Sequence, residues 1–154
     1  SSGIAKIPQM LRLGVPVGLA VDGSASNDGS NLLEEMRVAY LLHRLNSSSA
    51  APSGYDILKM ATRGSARLLG REELGQIAPG MAADFFLIDL NRLELTGAAF
   101  DAGSMLSTVG FKGSVDYTVV NGKIAVKEGR LTGISEEYIV PKAQRAVKTY
   151  LNRL

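Results

Sequence analysis

At 154 residues the chain has room for one ordinary domain or parts of two, and 45% hydrophobic with 21% charged residues is a globular balance that argues against disorder. A net charge of +2, scattered Lys and Arg and 6% aromatics argue against a nucleic-acid partner, and no apolar run nears the ~20 residues that a membrane span needs. The absence of cysteine excludes disulfides and thiolate metal sites, and with no signal-peptide pattern at the start the expected compartment is the cytoplasm.

Ile4, Ile7, Met10, Leu11 and Leu13 recur at helical spacing, and Gly14 stands where a helix-ending glycine belongs, so a short helix is predicted over 4–13. Val15-Pro16 leads into Val17-Gly18-Leu19-Ala20-Val21, an uninterrupted small and apolar run that ends on Asp22. Such a run predicts a strand buried on both faces, as in parallel sheets. Asp22 would then stand at the carboxyl end of a buried strand, where α/β sheets and barrels build their sites. A loop of Gly, Ser, Asn and Asp follows to Ser30. Three readings of Asp22 stay open from these residues. It ends the strand in an Asx-turn; or Asp22-x-Ser24-x-Ser26 resembles the Mg²⁺-holding adhesion site of von Willebrand A domains; or it is the last-strand Asp of a metallohydrolase barrel.

Asn31, with Glu34 three residues on, predicts a helix start, and Leu32, Leu33, Met36, Ala39, Tyr40 and His43 mark its buried face opposite Glu35, Arg37 and Arg44. The stretch 46–52 reads as a polar connection. Ser53 and Asp56 start another helix, with Ile57, Leu58, Ala61, Leu68 and Leu69 inward, Gly64 permitting close approach of another backbone, and Gly70 as the stop. The period then changes. Residues 83–89 predict a strand, and 115–120 with 123–127 flank Asn121-Gly122, the strongest short hairpin signal. Residues 93–113, rich in Gly and Ala, predict no element. An amphipathic helix from about Ser135 closes the chain.

One apolar strand cannot form a sheet, and one βα unit cannot close a barrel. The partner strands are therefore expected in residues upstream of Ser1, in another copy of the chain, or nowhere in this chain. The adhesion-site reading suffers most, because such a domain supplies further parallel strands, whereas helices and a hairpin follow Ser26 here.

Gly75-Gln76-Ile77-Ala78-Pro79-Gly80-Met81-Ala82-Ala83-Asp84-Phe85-Phe86-Leu87-Ile88-Asp89 resembles the segment of the amidohydrolase superfamily in which the chain leaves its (β/α)8 barrel for a small β-sandwich. Residues 115–131 resemble the next sandwich segment. Residues 17–30 resemble the eighth barrel strand and its loop, most closely in the branch holding 8-oxoguanine deaminase and the hydroxyatrazine aminohydrolases. The resemblance implies an α/β fold: the C-terminal part of a (β/α)8 TIM barrel, with the last strand and flanking helices over 1–74, β-sandwich strands over 75–132 and a C-terminal helix over 133–154. It implies hydrolytic deamination of a purine, triazine or similar cyclic amidine, with zinc as the cofactor, a small aminated heterocycle as the partner and a homo-oligomer as the state of the complete enzyme. Asp22 would be metal ligand or proton acceptor for the attacking water. Ser24 and Asn27 would line the substrate pocket, or else brace the loop through side-chain to backbone bonds. The family's His-x-His pair is missing, and His43, the only histidine, is read as structural. This chain alone is therefore expected to bind no catalytic zinc and to be inactive. A non-catalytic fragment and the adhesion module are the alternatives.

Overall fold

The computed structural model describes residues 3–153. Helix α1 (Ile7–Arg12) ends as Gly14 predicts: Gly14 takes φ 70°, its N–H donates to Leu11 O at 3.1 Å, and the Val15 N–H donates to Met10 O at 3.0 Å. This Schellman arrangement satisfies the last carbonyls of the helix. Helix α2 (Leu32–Ser47) is capped by Asn31, whose Oδ1 accepts from the Leu33 N–H at 3.1 Å. Met36 and His43 are buried on its inner face, and Leu33, Ala39 and Tyr40 pack at the core's margin.

The opposite face of α2 is less solvated than expected. Arg37 donates to Thr108 O, Arg44 donates to Pro52 O at 3.2 Å, and Glu35 accepts from Asn27 at 2.7 Å. The polar connection is shorter too, since α2 runs through Ser47 and a 3₁₀ turn, Ser48–Ala50, leads to the buried Pro52.

Helix α3 (Gly54–Lys59) begins with both halves of a capping box. The Asp56 N–H donates to Ser53 Oγ, and the Ser53 N–H donates to Asp56 Oδ2, each at 3.1 Å. The rod continues through a π turn, Met60–Gly64, into α4 (Ser65–Leu68), because the junction residues keep right-handed helical angles. A π turn inserts one residue, which rotates all that follows by about 100°. Leu68 and Leu69, expected inward on a 3.6-residue period, are consequently 59% and 73% exposed, while Met60 and Ala66 are buried.

The core joins Met36, Ile57 and Met60 to Leu95, Ala98, Met105, Leu106 and Phe111. Five of these eight residues come from the stretch in which no element was predicted. That stretch folds as two 3₁₀ turns, Leu93–Leu95 and Ala98–Asp101, and helix α5 (Met105–Thr108). Such short turns have no room for a hydrophobic period to declare itself. Helix α5 lies against α3 so closely that a Cβ on Gly54 would fall 2.6 Å from Ser104 Cβ, and Ser107 Oγ donates to Gly54 O at 3.2 Å.

The predicted strands form one antiparallel meander in the order β1 (Phe85–Leu87), β2 (Tyr117–Val120), β3 (Lys123–Lys127) and β4 (Arg130–Leu131). Asn121 and Gly122 both take positive φ, 48° and 75°, as a two-residue hairpin of matching twist requires. Glu128 and Gly129, at 51° and 75°, make a second such turn. Asp116 ties the sheet to the core: its carboxylate grips Arg92 Nη2 at 2.8 and 2.9 Å and accepts from the Asp89 N–H at 2.7 Å, while the Arg92 guanidinium lies 5.1 Å from the centre of the Phe111 ring. Helix α6 (Glu136–Leu151) starts where predicted, with Ser135 Oγ accepting from the Tyr138 N–H at 3.3 Å, and its residues are exposed.

The strand predicted over 17–21 has no partner strand among the described residues, and its partners were not expected there. Among the described residues this stretch joins no ladder, because the only strands are those of the meander, and none runs beside it. Val17, Gly18, Leu19 and Val21 are half-buried and Ala20 is exposed, so the stretch is not enclosed on both faces either.

Candidate active-site segment

The 17–22 segment is seated on the π turn by two glycines. A Cβ on Gly64 would lie 2.0 Å from Val17 O, and one on Gly18 would lie 2.8 Å from Leu68 Cδ1 and 3.0 Å from Ser65 Cα. Neither glycine has a positive φ, so close approach and not turn geometry calls for them. The close approach read from Gly64 is thus realised, and the backbone it admits is the one that leads to Asp22. Ser65 Oγ accepts from the Leu19 N–H at 3.2 Å and lies 3.1 Å from both Leu19 O and Met60 O.

Asp22 takes φ 66°, a left-handed conformation uncommon outside glycine but several-fold enriched for Asp and Asn. Its Oδ1 accepts from the Gly23 N–H at 2.7 Å, a bond made inside the turn itself. The carboxylate is exposed. A cleft of about 640 Å³ lies at the other end of the segment, lined by Val15, Pro16 and Val17 against the α3–α4 rod, and Asp22 does not line it. A pocket at the carboxyl end of a barrel strand takes its walls from neighbouring strands, and no parallel strand is present among the described residues.

Asn27 spends its side chain on the loop. Its Nδ2 donates to Val21 O at 3.0 Å and to Glu35 Oε1 at 2.7 Å, and its Oδ1 accepts from the Gly29 N–H at 2.9 Å. Ser24 is exposed in the turn that follows Asp22. Asp22 and Asn27 therefore meet through one backbone carbonyl. Glu35, placed opposite the buried face of its helix, is the far anchor of that link, and neither it nor Ser65 had a sequence signal for these bonds, since both span separate elements.

Zinc fits Asp22 as one oxygen donor but finds no complete site here, since among the described residues no three His, Cys, Asp or Glu side chains gather. His43 is 5% exposed in α2, and its Nδ1 has no hydrogen-bond partner among the described residues. Burial holds this imidazole below its ordinary value of 6.5. A base whose folded pKa is depressed contributes no loss above its unfolded value; stability falls as pH drops through that value toward the folded one. Thermal unfolding between about pH 7 and pH 5 should therefore show a falling midpoint, and His43→Phe should remove this histidine's share of the slope. A slope unchanged by His43→Phe would place its cause elsewhere.

Comparison with known proteins gives this geometry its context. The sequence signature of the Amidohydrolase family matches residues 1–125. The chain is 50% identical over 136 residues to hydroxydechloroatrazine ethylaminohydrolase of Pseudomonas sp. strain ADP, covering 86% of this chain and 28% of that protein. It is 35% identical to 8-oxoguanine deaminase of Pseudomonas aeruginosa, over 98% of this chain and 33% of that one. Among solved structures, an atrazine chlorohydrolase of Arthrobacter aurescens complexed with zinc superimposes with a TM-score of 0.87 at 37% identity, covering 93% of this chain and 32% of that one. An adenosine deaminase from Xanthomonas campestris with bound zinc gives 0.88 at 26% identity, over 99% and 35%.

The fold is thus a partial α/β arrangement shared with TIM-barrel metallohydrolases. The chain belongs to the amidohydrolase family, and it spans about a third of the length of the relatives it matches. Of the three readings of Asp22, the adhesion site falls with this assignment. No helix of the described residues is long and apolar enough to cross a membrane.

Proposed function

We propose that this chain serves as a carboxyl-terminal portion of a zinc-dependent aminohydrolase, which releases ammonia or an alkylamine from a cyclic amidine of the purine or triazine class. The observation that carries the reading is the 50% identity to an ethylaminohydrolase across 86% of the chain, with Asp22 and its loop inside the region that the family signature matches. Asp22 would hold the metal or take a proton, and the other donors would have to come from outside the described residues. When bound, zinc would act as a Lewis acid near neutral pH.

The chemistry asked of the residues in hand is limited. As water attacks the amidine carbon, a C–O bond forms and a C–N bond breaks. Asp22 would accept the proton that the water loses, and that proton would depart on the leaving nitrogen as ammonia or amine. Ser24, exposed on the same loop, would touch substrate, whereas the Asn27 side chain bonds to Val21 O, Glu35 and the Gly29 N–H within the loop and its neighbouring helix.

A panel assay tests this. The full-length protein, loaded with zinc, is incubated with an N-ethyl hydroxytriazine, 8-oxoguanine and 5′-deoxyadenosine, and ammonia and ethylamine are quantified. The expected result is amine release matched by an equal amount of carbonyl product from at least one of them. Tight zinc binding with no amine released from any of them would count against the proposal.

A further inference from the structure

We propose that Ser65 is a positioning residue for Asp22, holding Leu19 at a fixed height on the helical rod and so setting where the carboxylate stands. The proposal rests on the reading of Asp22 as a working carboxylate.

A serine inside a helix ordinarily returns its hydroxyl to a carbonyl one turn back. Ser65 does so only in part. The π turn before it brings Met60 O, five residues back, to 3.1 Å, and the same Oγ lies 3.1 Å from Leu19 O and 3.2 Å from the Leu19 nitrogen. A hydroxyl has one hydrogen and two lone pairs. It accepts from the Leu19 N–H and shares its hydrogen between two carbonyls, so one side chain serves both backbone polar groups of Leu19. Among the described residues no backbone partner serves that N–H or that carbonyl.

The two backbones approach closely here. A Cβ on Gly18 would stand 3.0 Å from Ser65 Oγ, and Gly64 brings the rod onto the carbonyl of Val17. Leu19 is thus pinned directly beside the glycine contacts. Asp22 follows three residues later, a span of at most about 10 Å of chain. Asn27 holds Val21 O nearer the carboxylate, so the short run into Asp22 is fixed at two points, by Ser65 at Leu19 and by Asn27 at Val21. Thr62 is the internal contrast, since its Oγ1 donates at 2.8 Å to Leu58 O within the same rod and makes no hydrogen bond to the described segment.

The test uses the full-length zinc-loaded enzyme, with turnover expressed per folded, metal-containing molecule. Ser65→Ala should lower kcat by about ten- to a hundredfold, the range a misplacement near 1 Å produces, with KM changed less than about twofold. Exchange of the Leu19 amide hydrogen, followed by mass spectrometry or NMR, should speed up by about tenfold or more. Ser65→Thr, which keeps the hydroxyl, should recover most of the turnover, and Thr62→Ala should leave both turnover and exchange unchanged.

Several outcomes would overturn the assignment. One is Ser65→Ala keeping kcat within about twofold while Asp22→Asn is inactive, in which case the Asp22 reading stands alone. Another is a loss of turnover without faster Leu19 exchange, or one that Thr62→Ala reproduces or Ser65→Thr fails to repair. Full activity in Asp22→Asn would remove the Asp22 reading itself, and this proposal with it.

Discussion

Replacing Gly64 with alanine is expected to destabilise the protein by roughly 3 kcal/mol, at the upper end of what overpacking costs. The added Cβ would stand 2.0 Å from the carbonyl oxygen of Val17. The backbone fixes the position of a Cβ and its neighbour is a main-chain oxygen, so no side-chain rotation relieves the clash. Either the rod bends at its π turn, where Met60 is buried in the core, or the 17–22 segment lifts off and takes Asp22 with it. Gly133→Ala is the matched control, because that position has no positive φ and nothing within 4 Å of its would-be Cβ. Thermal and urea unfolding of the two variants of the full-length protein should separate them clearly; a Gly64→Ala variant as stable as Gly133→Ala would mean that the segment does not lie on the rod.

Asp22→Asn should lower turnover of the complete enzyme by about 10³-fold or more, since several kcal/mol of transition-state stabilisation depend on a group that holds metal or moves the water's proton. The substitution keeps the shape, and asparagine also tolerates the left-handed conformation that Asp22 adopts at φ 66°. Its amide oxygen can still accept from the Gly23 N–H. Little change in stability is therefore expected, and a large loss of kcat with an unchanged unfolding midpoint is the signature. Equal activity in Asp22→Asn and the parent would remove Asp22 from the chemistry.

Much of the local structure was legible because its causes are local. The Ser53 and Asp56 capping box, the Gly14 stop, the Asn31 and Ser135 caps and the Asn121-Gly122 hairpin each depend on residues within a few positions of one another. What was missed depends on distance or on a break in period. The inserted residue of the π turn moved Leu68 and Leu69 off the face that a regular helix would give them. The core contribution of Leu95, Ala98, Met105, Leu106 and Phe111 comes from turns too short to carry a pattern.

The candidate site was legible in the same uneven way. Asp22 stood out by composition, as a carboxylate closing an apolar run. What holds the segment leading to it was not visible: Ser65 reaches Leu19 across 46 positions, and Glu35 reaches Val21 through Asn27. The apolar run itself predicted a paired strand, yet pairing needs a neighbour, and no described strand supplies one.

The most direct test of Asp22 is a crystal structure of the full-length protein with zinc bound. A carboxylate oxygen of Asp22 about 2.0–2.2 Å from the metal is the predicted result. Zinc held entirely by other residues, with the Asp22 carboxylate still turned onto the Gly23 amide and beyond reach of the metal and its water, would contradict it.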